Sequence, residues 1–265
     1  MFDDVTNILN NFKKNRKIST LHKIIRAMKK ILFILALAIL PGLPAAAQDK
    51  VNQNDKYTIW QPGSKLDFDS FAGVAQPETV STLEQAGIKM CPYIGFCAVL
   101  DVPKSHKDWQ PGCEKPYFAA AFSRKESFLL LYTDVQLRYA QLSWDICELA
   151  TRIARRNLET AARDLYGDER PAGYVTMQFQ TAVNDGKEFG RDLNDALFKE
   201  VIIPDDEAKY QVYRTFVDEK LKELEAWATS EEEARRILAE KPLLKGYKRA
   251  QTLYGDAKER GTIQY

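Results

Sequence analysis

Between Lys125 and Leu165, apolar residues recur at Phe128, Leu131, Val135, Leu142, Ile146, Leu149 and Ile153. Their spacings of three and four mark one face of a helix, and no Pro or Gly interrupts it. Gly167 and Pro171 supply the stop. Upstream the period is shorter. Tyr57 to Trp60 reads as a strand followed by the turn QPGS, and Leu66 to Gly73 alternates apolar and polar residues before its glycine. Thr79 to Met90 and Tyr93 to Val102 are further strand candidates. Lys104 to Pro116 is a loop by its Pro, Gly and charge content, and Tyr117 to Phe122 returns as the second arm of a hairpin.

Downstream of the long helix, Ala172 to Val183 fits either a strand or a buried helix, and Lys187 to Val201 reads as a helix. Asp205 to Ala228 is another, with Asp205 or Asp206 placed to cap it after Pro204. Ser230 and Glu233 form a capping box for a last helix through Glu240, and a polar tail follows. Strands come first and helices after, which predicts an α+β fold with N-terminal antiparallel strands and a helical C-terminal half.

The N-terminus changes the picture. Met28 to Gln48 has a basic start, an apolar run and a small-residue end, the layout of a secretory signal peptide cut after Ala47. Three segments are therefore expected: a leader over 1–47 with translation starting at Met28, an α+β domain over 48–228, and a C-terminal helical extension and tail over 229–265. A periplasmic or secreted location follows, with no stable membrane span once the leader is removed.

Residues 1–47 hold eight basic and two acidic residues, so the remainder carries 30 Lys/Arg against 35 Asp/Glu, a net charge of −5 rather than +1. That balance gives no support to a nucleic-acid partner. Cys91, Cys97, Cys113 and Cys147 all lie after the leader. In an oxidising compartment they are candidates for two disulfides, with buried thiols the equal alternative and a zinc site less favoured because no CxxC pair is present.

The stretch YAQLSWDICELATR, Tyr139 to Arg152, has the cadence of a zinc-hydrolase helix. In such a helix two histidines one turn apart bind the ion and an intervening Glu activates water. Here those positions hold Tyr139, Ala140 and Ser143, and the only His after the leader is His106, in a loop. A phenol and a hydroxyl are poor zinc ligands, and alanine is no base. Ser143 and Cys147 share a face, but no GxSxG turn exposes a nucleophile, and Ser143 reads better as a small residue at a helix contact. Asp145 and Glu148 are three apart and therefore neighbours, able to do acid–base work if buried in a cleft. The plainer reading pairs them with Arg152 or Arg138 as helix-surface charges. Trp144 reads as core.

With those residues in view, the chain resembles the domain-of-unknown-function 922 family, secreted bacterial proteins to which zinc-protease activity is ascribed. LDFDSFAG resembles the family's opening Leu-x-Trp-x-Asp-Phe-x-Gly, with Leu66, Phe71 and Gly73 in register and Phe68 in place of Trp. YAQLSWDICELATR lies where the family has His-Glu-Gln-x-His-Phe-Asp-Ile-x-Glu-x-x-x-Arg. Gln141, Asp145, Ile146, Glu148 and Arg152 match, and Trp144 replaces Phe. Asp206 to Trp227 resembles the closing helix. The resemblance implies a zincin-like long helix on which both His positions and the Glu are lost, to Tyr139, Ser143 and Ala140. It implies a protein without cofactor or metal, non-catalytic, with a remnant cleft at Tyr139, Ala140, Ser143, Asp145 and Glu148 and an unidentified protein or envelope partner. A hydrolase of another type using Asp145 and Glu148, and a structural envelope protein, are the alternatives.

Overall fold

The computed structural model describes residues 52–167, 169–239 and 241–250. The expected leader over 1–47 lies outside them. The architecture is α+β: an antiparallel sheet towards the N-terminus, followed by long helices. Strands β1 (Tyr57–Ile59), β3 (Ile94–Pro103), β4 (Lys115–Ser123) and β6 (Tyr247–Arg249) form one sheet in the order β1-β4-β3-β6. A small second sheet pairs β2 (Met90–Cys91) with β5 (Phe128–Leu129). The expected hairpin is the centre of the main sheet, with β3 and β4 in register from Ile94↔Phe122 to Asp101↔Lys115.

All ten residues of β3 are buried, which requires cover on both faces of the sheet. Phe96, Ala98, Leu100, Phe118, Ala120 and Phe122 join the main core, packed with the helices α2 (Asp134–Tyr166) and α3 (Tyr174–Leu197). Cys97, Val99, Tyr117, Ala119 and Ala121 point the other way and pack with Tyr57 and Ile59 under Ala234 and Ile237 of α5 (Glu231–Leu238). Each large apolar side chain so buried stabilises by about 1.5–3 kcal/mol relative to exposure. Asp101 also lies on β3, and its carboxylate accepts two hydrogen bonds from the buried Arg236 of α5, at 2.5 and 2.7 Å.

Helix α2 runs 33 residues and begins at Asp134, later than its apolar periodicity suggests, because Phe128 and Leu129 are taken by the β2–β5 pair. Thr133 caps it, accepting from the Gln136 amide, and Gly167 ends it at φ 61°. The ambiguous stretch from Ala172 is the first half of α3. Its N-terminus is capped from a distance: the Glu114 carboxylate, on the β3–β4 loop, accepts from the amides of Gly173, Val175 and Thr176. Gly186 of α3 lies hard against α2, where a Cβ would meet the Ala150 oxygen at 2.8 Å. A π-turn at Phe198–Ile202 leads to Asp205, at φ 57°, and to α4 (Glu207–Glu223), capped by Asp206. The Ser230–Glu233 capping box is present on α5.

Three sequence expectations need correction. Thr79 to Met90 is not one strand: Pro77–Gln85 forms a surface helix, α1, with Pro77 in its first turn and no buried residue, and only Met90 enters β2. Leu66 to Gly73 makes one 3₁₀ turn at Phe68–Ser70 rather than an extended run. The stretch after α5 is more than a polar tail, since Tyr247–Arg249 pairs with β3 as an edge strand. The described part of 229–265, set apart in the sequence as an extension, supplies α5 and β6 to the sheet.

The disulfide candidates Cys91, Cys97, Cys113 and Cys147 are all thiols. Cys97 lies on the α5 side of the sheet and Cys147 in the core on the opposite side. Cys91 sits in the separate small sheet, and Cys113 at the far end of the β3–β4 hairpin. The sheet keeps the two most buried thiols apart, and a disulfide needs Cα atoms within about 7 Å. Among the described residues, no helix is long and apolar enough to cross a membrane.

Candidate functional site

The five positions expected to line a remnant cleft are all on α2, and all are buried. Tyr139 is 1% exposed, Ala140 0%, Ser143 2%, Asp145 7% and Glu148 0%. Helical spacing spreads them around α2, with Glu148 on the side opposite Tyr139, and their burial comes from cover all round the helix, where nearly every residue from Tyr139 to Arg155 is buried. The space is filled by side chains rather than open.

Tyr139 stands where the family resemblance places the first metal-binding His. Its hydroxyl donates to Asp205 Oδ1 at 2.8 Å, and its ring packs at 5.5 Å from that of Tyr210 on α4. Burial, reinforced by the Asp205 carboxylate, holds the phenol well above its ordinary range. It is a neutral donor at physiological pH. Ser143, at the second His position, has a buried Oγ with no hydrogen-bond partner. Its small size fits a closely packed helix surface, as the sequence suggested.

Asp145 and Glu148 share a helix, but they serve different contacts. Asp145 Oδ1 accepts from the Trp60 indole at 2.8 Å and from Gln141 Nε2 at 2.9 Å, and its Oδ2 accepts from Arg214 Nη1 of α4 at 2.6 Å. Arg214 also holds Asp218, 3.0 Å from its Nε. Burial alone would lower the pKa of this guanidinium, yet its two carboxylate partners raise it overall.

Glu148 is more fully engaged. Oε1 accepts from Arg152 Nε at 2.8 Å and from the Thr229 amide at 3.0 Å; Oε2 accepts from the hydroxyls of Thr151 at 3.0 Å and Thr229 at 2.6 Å. A carboxylate has about four lone-pair directions. Three are filled by Arg152 and Thr229, and the single Thr151 hydroxyl proton lies between Oε2 and the Glu148 backbone carbonyl, which is nearer at 2.8 Å. The pairing of Glu148 with Arg152 was anticipated as a surface ion pair. It is formed, but inside the protein, with the two side chains 0% and 4% exposed.

Arg152 continues the chain of contacts. It donates to the Leu221 carbonyl and lies 5.1 Å over the Trp60 ring. One turn on, Arg155 donates from Nε to Glu233 at 2.7 Å, to the Thr229 hydroxyl at 2.7 Å, and to the carbonyls of Trp227 and Phe118. Asp145, Glu148, Arg152 and Arg155 thus fasten α2 to Trp60 beside β1, to α4, and to Thr229 and Glu233 at α5. Arg138, the other partner considered for the acidic pair, is instead bound to Glu207 by two hydrogen bonds of 3.1 Å.

His106 is not brought to this region. It lies in the 3₁₀ turn His106–Asp108 of the β3–β4 loop, stacked on Trp109 at 6.2 Å. That loop reaches the α2–α3 connection through Glu114 and Gly173. Tyr139 is near the other end of α2, about 40 Å away along its axis. Trp144 is core, donating to the Ala120 carbonyl at 3.3 Å. An enzyme built on Asp145 and Glu148 would need both carboxylates in an accessible pocket, and neither is. Among the described residues, no three His, Cys, Asp or Glu side chains converge as a metal site would require. Comparison with protein-family models, with curated proteins and with solved structures returns no match.

Trp60, Asp205, Arg214 and Thr229 complete these contacts; Asp205 was read from the sequence only as a helix-cap candidate, and the other three were not singled out. Each lies 66–85 residues from its partner on α2, so no local spacing announces it.

Proposed function

We propose that this chain is an exported, non-catalytic protein, a binding or scaffolding module on a frame like that of the zinc-protease helix, with the metal chemistry replaced by packing. The observation that carries the reading is Glu148, a fully buried carboxylate whose two oxygens are held by the Arg152 guanidinium and by the amide and hydroxyl of Thr229. Tyr139 and Ser143 support it, since a buried phenol bound to Asp205 and a buried hydroxyl present no ligand pair to an ion. Export rests on the basic, apolar and small-residue pattern from Met28 to Gln48.

The direct test is the metal content of the purified protein after incubation with zinc and removal of excess. The reading expects no stoichiometric zinc. One equivalent that disappears in Tyr139→Ala or Glu148→Ala would overturn it. Fractionation of cells expressing the full chain tests the export half, with recovery of a shortened product outside the cytoplasm as the expected outcome.

A further inference from the structure

We infer that the α5–β6 loop, Lys241 to Gly246, and the turn that follows β3 form one docking surface for a membrane bearing anionic lipids. β3 ends at Pro103 and β6 begins at Tyr247, and these two residues pair. The segments they connect to therefore leave the main sheet at the same end. This surface shares no residue with the positions on α2, and purified protein suffices to test it. Its failure would leave the metal and export questions untouched.

Positive charge collects at that end. Residues 104–109 and 240–249 hold six Lys/Arg and two Asp/Glu, a net charge of +4 in a chain that is −5 after its leader. Lys104, Lys107, Lys241, Lys245 and Lys248 are all exposed, and none forms an ion pair with a described residue. Two nearby carboxylates are engaged elsewhere: Asp101 is buried with Arg236, and Glu114 caps α3.

Between Lys241 and Lys245 stand Leu243 and Leu244, 42% and 40% exposed. Three hydrogen bonds set the loop that carries them. The Lys104 amide donates to the Gly246 carbonyl at 2.8 Å, the Tyr247 amide to the Leu244 carbonyl at 3.3 Å, and the Tyr247 hydroxyl to the Cys113 carbonyl at 2.9 Å. Leu165 and Ile203 are exposed too, but they stand beside Asp164 and near Asp205. Adjacent leucines bracketed by lysines fit the boundary of an anionic bilayer, where the ammonium groups meet lipid phosphates and the leucines enter the acyl region. A nucleic acid or an acidic protein would satisfy the lysines and leave the leucines in water. Each Lys or Arg held at an anionic surface adds about fivefold to partitioning, and each part-covered leucine adds on the order of fivefold.

The test is co-sedimentation of the full protein with vesicles of phosphatidylcholine and of an equimolar phosphatidylcholine–phosphatidylglycerol mixture, with polyglutamate as the soluble anion. Tighter binding to the mixed vesicles, weakened by salt, is expected. Leu243→Ser with Leu244→Ser, and Lys241→Gln with Lys245→Gln, are each expected to weaken it by about tenfold or more. Both pairs lie at exposed positions and leave the leader unchanged. Hydrogen exchange across 241–246 should slow when the mixed vesicles are added. Unchanged affinity in either variant, equal binding to both vesicles, polyglutamate bound as tightly as the mixed vesicles, or unslowed exchange across the loop would overturn the proposal.

Discussion

Glu148 and Thr229 are joined twice: the Thr229 amide and hydroxyl each donate to a different oxygen of the Glu148 carboxylate, at 3.0 and 2.6 Å. Eighty-one residues separate them, and the pair fixes the point where the chain leaves the helical layer and turns towards the sheet's second face. Glu148→Ala leaves the buried guanidinium of Arg152 without its carboxylate and removes both anchors of Thr229. The expected cost is about 3–5 kcal/mol in urea unfolding. Thr229→Val, which removes only the hydroxyl, is expected to cost about 1–3 kcal/mol. Equal, small effects from both variants would show that the pair does not hold the segment.

Asp101 and Arg236 form a second buried anchor between the sheet and α5. Arg236→Met strands a carboxylate inside the protein and is expected to destabilise by about 3–5 kcal/mol. Asp101→Leu combined with Arg236→Met is expected to recover most of that loss, because an apolar pair of similar volume carries no desolvation penalty. A double-mutant cycle measured by chemical denaturation reads the difference.

The Glu114 carboxylate does for α3 what a local Ser or Asp does for other helices. Glu114→Ala is expected to cost about 1–2 kcal/mol, the scale of a lost N-cap. Hydrogen exchange should rise at the amides of Gly173, Val175 and Thr176 and leave the middle of α3 unchanged. Uniform protection across the helix would contradict the assignment.

Gly186→Ala places a methyl 2.8 Å from the Ala150 oxygen and 2.9 Å from the Phe96 ring. Alanine is the better helix former by about 1 kcal/mol, so propensity alone predicts a gain. Steric overlap at the helix crossing predicts a loss of about 1–3 kcal/mol. A lowered melting temperature is expected, since backbone stands on one side and a core ring on the other.

Alkaline pH should weaken the fold through its buried phenols. Burial, and then the nearby Glu200 carboxylate, pushes Tyr213 up to about 12 from 10.0. Tyr139 and Tyr210 move in the same direction, with burial the leading cause in each. The folded state keeps these protons where the unfolded chain sheds them. The stabilisation is therefore complete below pH 10 and lost for Tyr213 between about pH 10 and 12. Tyr213→Phe should flatten the fall in stability over that range, by on the order of 1 kcal/mol, measured against an unchanged neutral baseline.

The strand-then-helix order was legible because β3, β4 and α2 carry strong periods, and the caps at Asp206 and Ser230 were legible because capping is local. Short elements were harder. α1 buries nothing, so its apolar residues carry no helical period, and β6 is three residues of mixed polarity recognisable only by its partner β3. Around Glu148 the sequence revealed the partner four residues away, Arg152, and not Thr229 or the buried setting that both share. Burial of a charge is set by what folds over it, and here those elements come from the far end of the chain.

The two-sided cover of β3 sets an order on the folding of the chain. Its first face meets α2 and α3, which follow soon after, whereas Ala234, Ile237 and the edge strand at Tyr247–Arg249 come last. Until the ribosome has made those final residues, Tyr57, Ile59, Val99 and Tyr117 have nothing to pack beneath. A nascent chain halted before α5 therefore presents a bare β surface, the natural target of a holding chaperone and the natural seed of aggregation.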